Sequence, residues 1–337
     1  MRYNFCTLFD RNFLYKGLAL HRSLLRVRPN FALWILCLDD ETYRTLSALQ
    51  LDRVTLISLA EFEDPALKAV KPARNAAEYC WTCSPSLPLY LLKTNPILEQ
   101  ITYLDADLYF YADPEPVYRA FADRSILIIP HRFSPELARL EKTSGTYNVG
   151  MLVFRNDRNG LACLEWWRQQ CLDWCFDFYD NGRLGDQLYL DDWPNRFAGV
   201  HVLENLGAGL APWNVSQYAL TKKNNAVQVN GTPLVFYHFH ALDSYTNLTF
   251  QPHKLLYNIT RRTRRLIYRP YLKELKAIII EIKKKQPQFS AGLKPKPSLL
   301  DRARYRLNRD VHLPLKRAVP GYNRLYQQLK KMLRRNS

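Results

Sequence analysis

A chain of 337 residues, 47% hydrophobic and 13% aromatic, can bury a full core and is long for one small domain but short for two large ones. Its longest purely apolar runs, such as Ala277 to Ile280, fall far below the roughly 20 residues that cross a bilayer, and Arg2, Asp10, Arg11 and Lys16 interrupt the stretch where a secretory leader would lie, so a cytoplasmic location is expected. The formal charge of +17 is unevenly placed: residues 1–253 carry 24 Lys/Arg against 27 Asp/Glu, a balance of −3, and residues 254–337 carry 24 against 4, a balance of +20, which argues against a nucleic-acid-binding body.

The body alternates strand-like and helix-like segments, predicting an α/β domain over 1–253 with a mostly parallel sheet covered by helices. Tyr3 to Leu8 reads as a first strand and Leu14 to Val27 as the helix after it. Leu33 to Leu38 is a second strand, with Asp40 placed to cap the helix Glu41 to Leu49, and Val54 to Leu59 is a third. Leu87 to Lys93 reads as helix and Ile101 to Leu104 as strand, followed by Ser125 to Pro130, Val149 to Phe154, a Trp-rich helix from Leu161 to Phe178, and Leu234 to His238. Trp166, Trp167 and Trp174 read as packing residues.

The extension, 254–337, is basic and partly helical. Leu272, Leu275, Ile279 and Ile282 follow helical spacing, as do Tyr322, Leu325, Tyr326, Leu329, Met332 and Leu333, and Pro287, Pro295 and Pro297 mark a linker from Gln286 to Ser298. Lysines and arginines on the other face of the last segment suit an anionic membrane surface, which would place the protein peripherally on the inner face of a membrane. Docking of these helices on the body is the plainer alternative.

Seven cysteines, an odd number, imply reduced thiols rather than a disulfide framework, and the Cys80/Cys83 C-x-x-C has no second pair with which to make a structural zinc site. Four Asn-x-Ser/Thr sequons, at Asn214, Asn230, Asn247 and Asn258, read as chance matches in turn-like sequence.

The most informative feature is Asp105-Ala106-Asp107 at the end of the run Ile101 to Leu104. Side chains two apart on an extended segment point the same way, so both carboxylates would leave one face of the strand where it meets solvent. Magnesium or manganese keeps several waters and needs little more than such a pair plus the phosphates of a substrate. In open α/β sheets ligands sit beyond the carboxyl ends of the strands, where Asp10, Asp39, Asp105, Asp107 and His131 fall.

Three later segments strengthen this reading: Tyr147-Asn148-Val149-Gly150-Met151, Gly185-Asp186-Gln187 and Tyr237-His238-Phe239-His240. With Tyr103 to Asp107, their order resembles the GT-A glycosyltransferases, most nearly the family 8 or glycogenin-like group, over roughly residues 1–250. The resemblance implies a GT-A, Rossmann-like sheet and a manganese (or magnesium) ion held by Asp105, Asp107 and His238. It implies a donor site that also takes in Ala106, Asn148, Gly150, Asp186 and Gln187, with Thr7, Phe9 and Asp10 around the nucleoside. Asp186, Gln187 and Asn148 would be the catalytic group. The implied partners are a nucleotide-diphosphate sugar, a UDP-sugar foremost, and a glycan or lipid-linked glycan acceptor, with retention of configuration.

The group's H-x-x-G-x-x-K-P-W becomes His238-Phe239-His240-Ala241-Leu242-Asp243, which lacks both the glycine and the diphosphate-binding lysine. His240, Lys254 and Arg74 are the candidate replacements. The arginine expected in the helix before the aspartates is also absent from Glu78 to Pro85. Asp186 has a plainer reading as the cap of a helix from Gln187 to Asp191. A sugar-1-phosphate nucleotidyltransferase is the alternative enzyme, but Thr7 to Lys16 contains no glycine for a phosphate loop. A non-catalytic module recruiting partners through the tail is the alternative from another class.

Overall fold

In the computed structural model, residues 3–28, 30–251, 257–296 and 298 are described. The chain divides into two compact units, Met1–His240 with Ile259–Gly292, and Ala241–Asn258 with Leu293–Ser337.

The larger unit is built on a seven-stranded sheet. Its strands are β1 (Tyr3–Phe9), β2 (Phe31–Cys37), β3 (Val54–Ser58), β4 (Gln100–Leu104), β6 (Ile126–Pro130), β7 (Tyr147–Arg155) and β8 (Val200–Val202), while β5 (Leu108–Phe110) lies outside it. The order β3-β2-β1-β4-β7-β6-β8 is parallel from β3 to β4 and between β6 and β8, with β7 antiparallel to both neighbours. The parallel strands read as near-continuous apolar runs because both faces are covered, and β4 is buried at every position. The chain leaves β1 toward β2 on one side and later returns to β4 on the other, so the strand order reverses between β1 and β4. That reversal opens a crevice at the carboxyl ends.

Helices α1 (Leu14–Val27) and α2 (Asp40–Leu49) lie where sequence places them. Gly17 lets α1 close on the strand before it: a Cβ there would lie 2.3 Å from the Phe9 ring. Asp39, not Asp40, caps α2, because its extended backbone turns the carboxylate onto Thr42 N at 2.7 Å while Asp40 is already helical. Helix α3 (Ala76–Thr94) starts eleven residues before the expected Leu87. Asn75 and Glu78 form a reciprocal capping box that nucleates it, and it continues through Pro85 and Pro88 because its buried faces outweigh the two missing donors. Helix α4 (Arg158–Asp173), capped by Asp157, stops five residues short of the expected Phe178 as the chain turns extended at Trp174. Trp167 and Trp174 are buried and Trp166 packs at the core's edge, as expected of packing residues. All seven cysteines are free.

A hairpin of β9 (Leu220–Lys223) and β10 (Ala226–Val229), extended by β11 (Thr232–Pro233), leads into β12 (Phe236–His238). The last of these pairs antiparallel with β5, setting His238 opposite Leu108. Helix α5 (Arg269–Lys285), within the basic extension, belongs to this larger unit. It packs along α1 with Leu275, Ile278, Ile279 and Ile282 buried, while Arg22 pairs with Glu274 at 3.3 Å and with Glu281. Tyr271 stacks on Phe239 at 3.7 Å, directly behind the end of β12. The apolar stripe of this helix is therefore covered by protein and does not face a membrane. The second amphipathic segment, Tyr322 to Leu333, lies outside the described residues. No helix among the described residues is long and apolar enough to cross a membrane.

The smaller unit contains β14 (Phe250–Gln251), β13 (Asp243–Tyr245) and β15 (Leu293–Lys294) in that order, with a Lys294–Asp243 ion pair at 2.7 Å.

Candidate active site

Asp105-Ala106-Asp107 is a turn rather than the end of a straight strand. Leu108 N returns to Asp105 O at 3.2 Å, while Asp105 N bonds Gly150 O and Phe239 N bonds Asp107 O, both at 2.9 Å. The two carboxylates converge because neighbouring strands pin both ends of the turn, and not through strand alternation. His238 completes the group, its Nε2 lying 3.0 Å from Asp107 Oδ1 and 3.7 Å from Asp105 Oδ2. One ligand atom from each of the three side chains lies within 4.8 Å of the others. No other set of three such side chains converges in this way among the described residues. Two carboxylate oxygens and an imidazole nitrogen form a donor set that suits a divalent cation such as manganese. The side chain of Asp105 keeps 29% of its exposure against 11% for Asp107 and 7% for His238, so Asp105 faces the opening.

A hydrogen-bonded chain fixes the imidazole. His238 Nδ1 lies 3.2 Å from Asn148 Oδ1, which also accepts from Gly150 N at 3.0 Å. Asn148 Nδ2 donates to Gln187 Oε1 at 2.9 Å, and Gln187 Nε2 donates to Ser144 O at 2.7 Å. Residue 150 must be glycine for this to close. A Cβ there would lie 2.6 Å from Asn148 Oδ1 and 2.9 Å from His238 Nδ1.

Asp186 does not cap the short helix that follows, Leu188–Asp192, which has no side-chain cap. Its carbonyl accepts from Trp167 Nε1 at 2.8 Å, which anchors the segment to α4, and its carboxyl is buried. Burial, reinforced by the charge of Asp105 and opposed by a Ser84 hydrogen bond, pushes this carboxyl up to about 7. Burial pushes Asp105 up to about 6 despite the pull of His238. The charge and hydrogen bond of His238 overcome burial at Asp107 and hold it well below the usual carboxylate range, and His238 is raised in turn, the two aspartates outweighing burial.

No protein-family model matches the chain. It is 33% identical over 293 residues to YfnF, an uncharacterized protein of Bacillus subtilis (strain 168), covering 85% of this chain and 96% of YfnF. It is 32% identical over 301 residues to YfnD of the same organism, covering 89% and 97%. The chain belongs to the YfnF/YfnD family. Among solved structures, the galactosyltransferase LgtC in complex with donor and acceptor sugar analogues superposes with a TM-score of 0.51, covering 81% of this chain and 95% of LgtC at 14% identity. At that identity the likeness is one of fold, and the fold of this YfnF-family chain is GT-A, as the motif order implied.

The structure joins Asp105, Asp107, His238, Asn148, Gly150 and Gln187 through direct contacts, with Asp186 in their electrostatic field and Ala106 buried in the turn. Thr7, Phe9 and Asp10 stand apart from that network. Thr7 is wholly buried in β1, Phe9 packs at Gly17, and Asp10 spends both carboxylate oxygens on Asn12. Of the candidate cations, Arg74 lies 3.9 Å over the Phe176 ring and bonds Leu172 O, His240 sits exposed against Trp213, and Lys254 is outside the described residues. Three participants were not singled out from sequence. Tyr103 donates to Asp105 Oδ1 at 3.1 Å and lies 3.3 Å from Ser84 Oγ, linking α3 to the turn. Lys16 is buried on α1, and its charge acts on Asp107 and His238. A lysine inside the otherwise apolar run Leu14 to Leu20 was the available signal for the last of these.

Proposed function

We propose that this YfnF-family protein transfers a sugar from a nucleotide-diphosphate donor to an acceptor hydroxyl. The observation that carries the reading is the convergence of Asp105, Asp107 and His238 at the crevice edge, with the Asn148–Gln187 chain locking the imidazole. A divalent cation, manganese or magnesium, would be held by these three side chains and when bound would supply Lewis acidity toward the donor diphosphate. Gln187 and Asn148 are held in one orientation by their mutual hydrogen bond and so present fixed dipoles where charge develops at the anomeric centre. The bond from the anomeric carbon to the diphosphate oxygen breaks, and the acceptor oxygen bonds to that carbon. In the retaining reading, which the family resemblance favours, the acceptor proton passes to the departing phosphate.

A second reading, inversion with Asp186 as base, is supported by its buried carboxyl poised at about 7. A UDP-sugar donor follows from the motif resemblance. A membrane-linked glycan acceptor, and with it a peripheral location on the inner face of a membrane, follows from the +20 charge of residues 254–337.

The test is donor hydrolysis by purified protein across a panel of nucleotide sugars, with and without manganese, beside Asp105→Ala and Asp107→Ala. Metal-dependent release from one donor, lost in both variants, is expected and names the donor. Release from none of them, without metal-linked nucleotide binding, would sink the reading.

A further inference from the structure

We propose that the outer face of α5, with the helical turn that leads into it, docks on an anionic lipid surface through Arg265, Arg269, Lys273 and Lys276. The inference rests on the membrane-surface reading above and goes beyond it by naming the surface that makes the contact and the manner of contact, electrostatic and without insertion of an apolar face.

The π-helical turn Arg264–Tyr268 runs directly into α5, so Arg265, Arg269, Lys273, Lys276 and Ile280 follow one another at steps of three or four residues and share one face. All five are exposed. Tyr271, Leu275, Ile278 and Ile282 are buried on the opposite side of the helix. From Arg265 to Ile280 the stripe is about 23 Å long. Residues 259–292 of the larger unit carry ten Lys/Arg against two acids, a balance of +8. Those two, Glu274 and Glu281, stand two turns apart on the flank toward α1, where Arg22 pairs with both and Arg26 lies 3.7 Å from Glu274. None of the four stripe cations has an ion pair among the described residues. The helix thus turns its acids to α1 and its cations to solvent.

Like charges three and four residues apart destabilise a helix, and with both local acids taken up by α1 the stripe gains from an external anionic surface. A bilayer suits its shape. A line of cations on one straight helix meets a plane along its whole length, and the aliphatic stems of Lys and Arg lie along the headgroup boundary while their charged ends reach phosphate. Ile280, 39% exposed at the end of the line, fits that boundary and has no task on a nucleic-acid backbone. The stripe also lacks the aromatic side chains on which single-stranded nucleic acid stacks. Because the apolar face of the helix is already filled by α1 and Phe239, contact is chiefly through charge and is screened by salt.

The experiment is vesicle flotation of the full chain with phosphatidylcholine alone and with phosphatidylcholine mixed with phosphatidylglycerol, at low and at high salt. Wild type is compared with the stripe variant Arg265→Gln/Arg269→Gln/Lys273→Gln/Lys276→Gln and with a control of equal charge change at exposed positions elsewhere, Lys68→Gln/Lys142→Gln/Lys222→Gln/Lys223→Gln. Wild type is expected to partition onto the anionic vesicles only, and to be released by salt at about 0.5 M. Each cation at an anionic surface contributes about fivefold, so the stripe variant should lose on the order of 10²-fold in partitioning and the control less than about threefold. Equal losses in the two variants, or wild-type partitioning in the stripe variant, would overturn the proposal and assign binding to overall charge or to residues 299–337. No partitioning by wild type would overturn it as well, and retention of labelled duplex DNA or RNA through the stripe would then give the surface to nucleic acid. If the stripe variant does not fold, Arg269→Gln and Lys273→Gln decide singly. Each should cost about fivefold, and no change in either overturns the proposal. Metal-dependent donor hydrolysis without vesicles should be the same in wild type and stripe variant. Hydrolysis of no donor would remove the donor reading and leave the partitioning result standing.

Discussion

The carboxyl edge of the sheet has two halves with similar residues and different commitments. Where β4, β5, β7 and β12 meet, Asp105, Asp107, His238, Asn148 and Gln187 bond one another, and burial and mutual charge raise Asp105 and His238 and lower Asp107. Where β1 and β2 end, Asp10 and Asp39 are similarly placed, yet each is bound to backbone N–H groups, Asp10 at Asn12 N and Asp39 at Thr42 N and Arg11 N. An aspartate after a strand thus either joins a converging cluster of side chains or is taken up by nearby backbone. What decides is whether a second strand brings another such side chain within reach, as β12 brings His238.

The largest expected effect breaks the first half. Asp107→Ala should remove manganese binding by calorimetry and lower metal-dependent turnover by on the order of 10²- to 10³-fold. Asp10→Ala should cost far less, and equal losses would erase the contrast between the halves. Gly150→Ala comes next. The added methyl must displace Asn148 Oδ1 or the His238 ring, and a shift of about 1 Å in such a group can cost about 10²-fold in turnover. Wild-type rates in this variant would show that the Asn148–His238 contact does not position the imidazole.

The third effect concerns proton linkage in the metal-free protein. The folded pKa of Asp186, about 7, lies above the unfolded value of about 3.9, so the folded state binds the extra proton. That contribution is full below about pH 4 and is lost as pH rises through about 7. Melting temperature should therefore fall across this window, by the equivalent of a few kcal/mol at most, and Asp186→Asn should flatten the dependence. A profile in the variant identical to that of wild type would assign the slope to other groups. The smallest effect tests the second half. Asp39→Ala removes a helix cap and should cost about 1 kcal/mol in denaturant unfolding, with turnover within about twofold of wild type. A large loss of turnover would make Asp39 more than a cap.

The α/β alternation, the limits of β1, α1 and β3 to within a residue, and the strand endings that carry the site were legible because period and apolar runs are local properties. Helix α3 was legible only from Leu87 onward. Its first half reads Glu78-Tyr79-Cys80-Trp81-Thr82-Cys83-Ser84-Pro85, without a clean stripe, since it is buried at Glu78, Tyr79, Thr82, Cys83, Ser84 and Pro85 alike. The first amphipathic stripe of the tail was visible, but spacing alone does not distinguish a lipid surface from α1 as its cover, and Glu274 and Glu281 meeting Arg22 is a contact between residues some 250 apart in the chain.

For the candidate site, sequence by itself determined the residue types that converge and their order along the chain, because an Asp-x-Asp after an apolar run and a histidine after another are readable without coordinates. Tertiary structure alone decided that the aspartates lie in a turn pinned by Gly150 and Phe239, that Asp186 is buried rather than capping, and that Asn148 and Gln187 bond in a chain to His238. The physical reason is that a ligand's identity is a property of one residue, whereas its direction, burial and charge environment are set by whichever distant strands and helices pack around it.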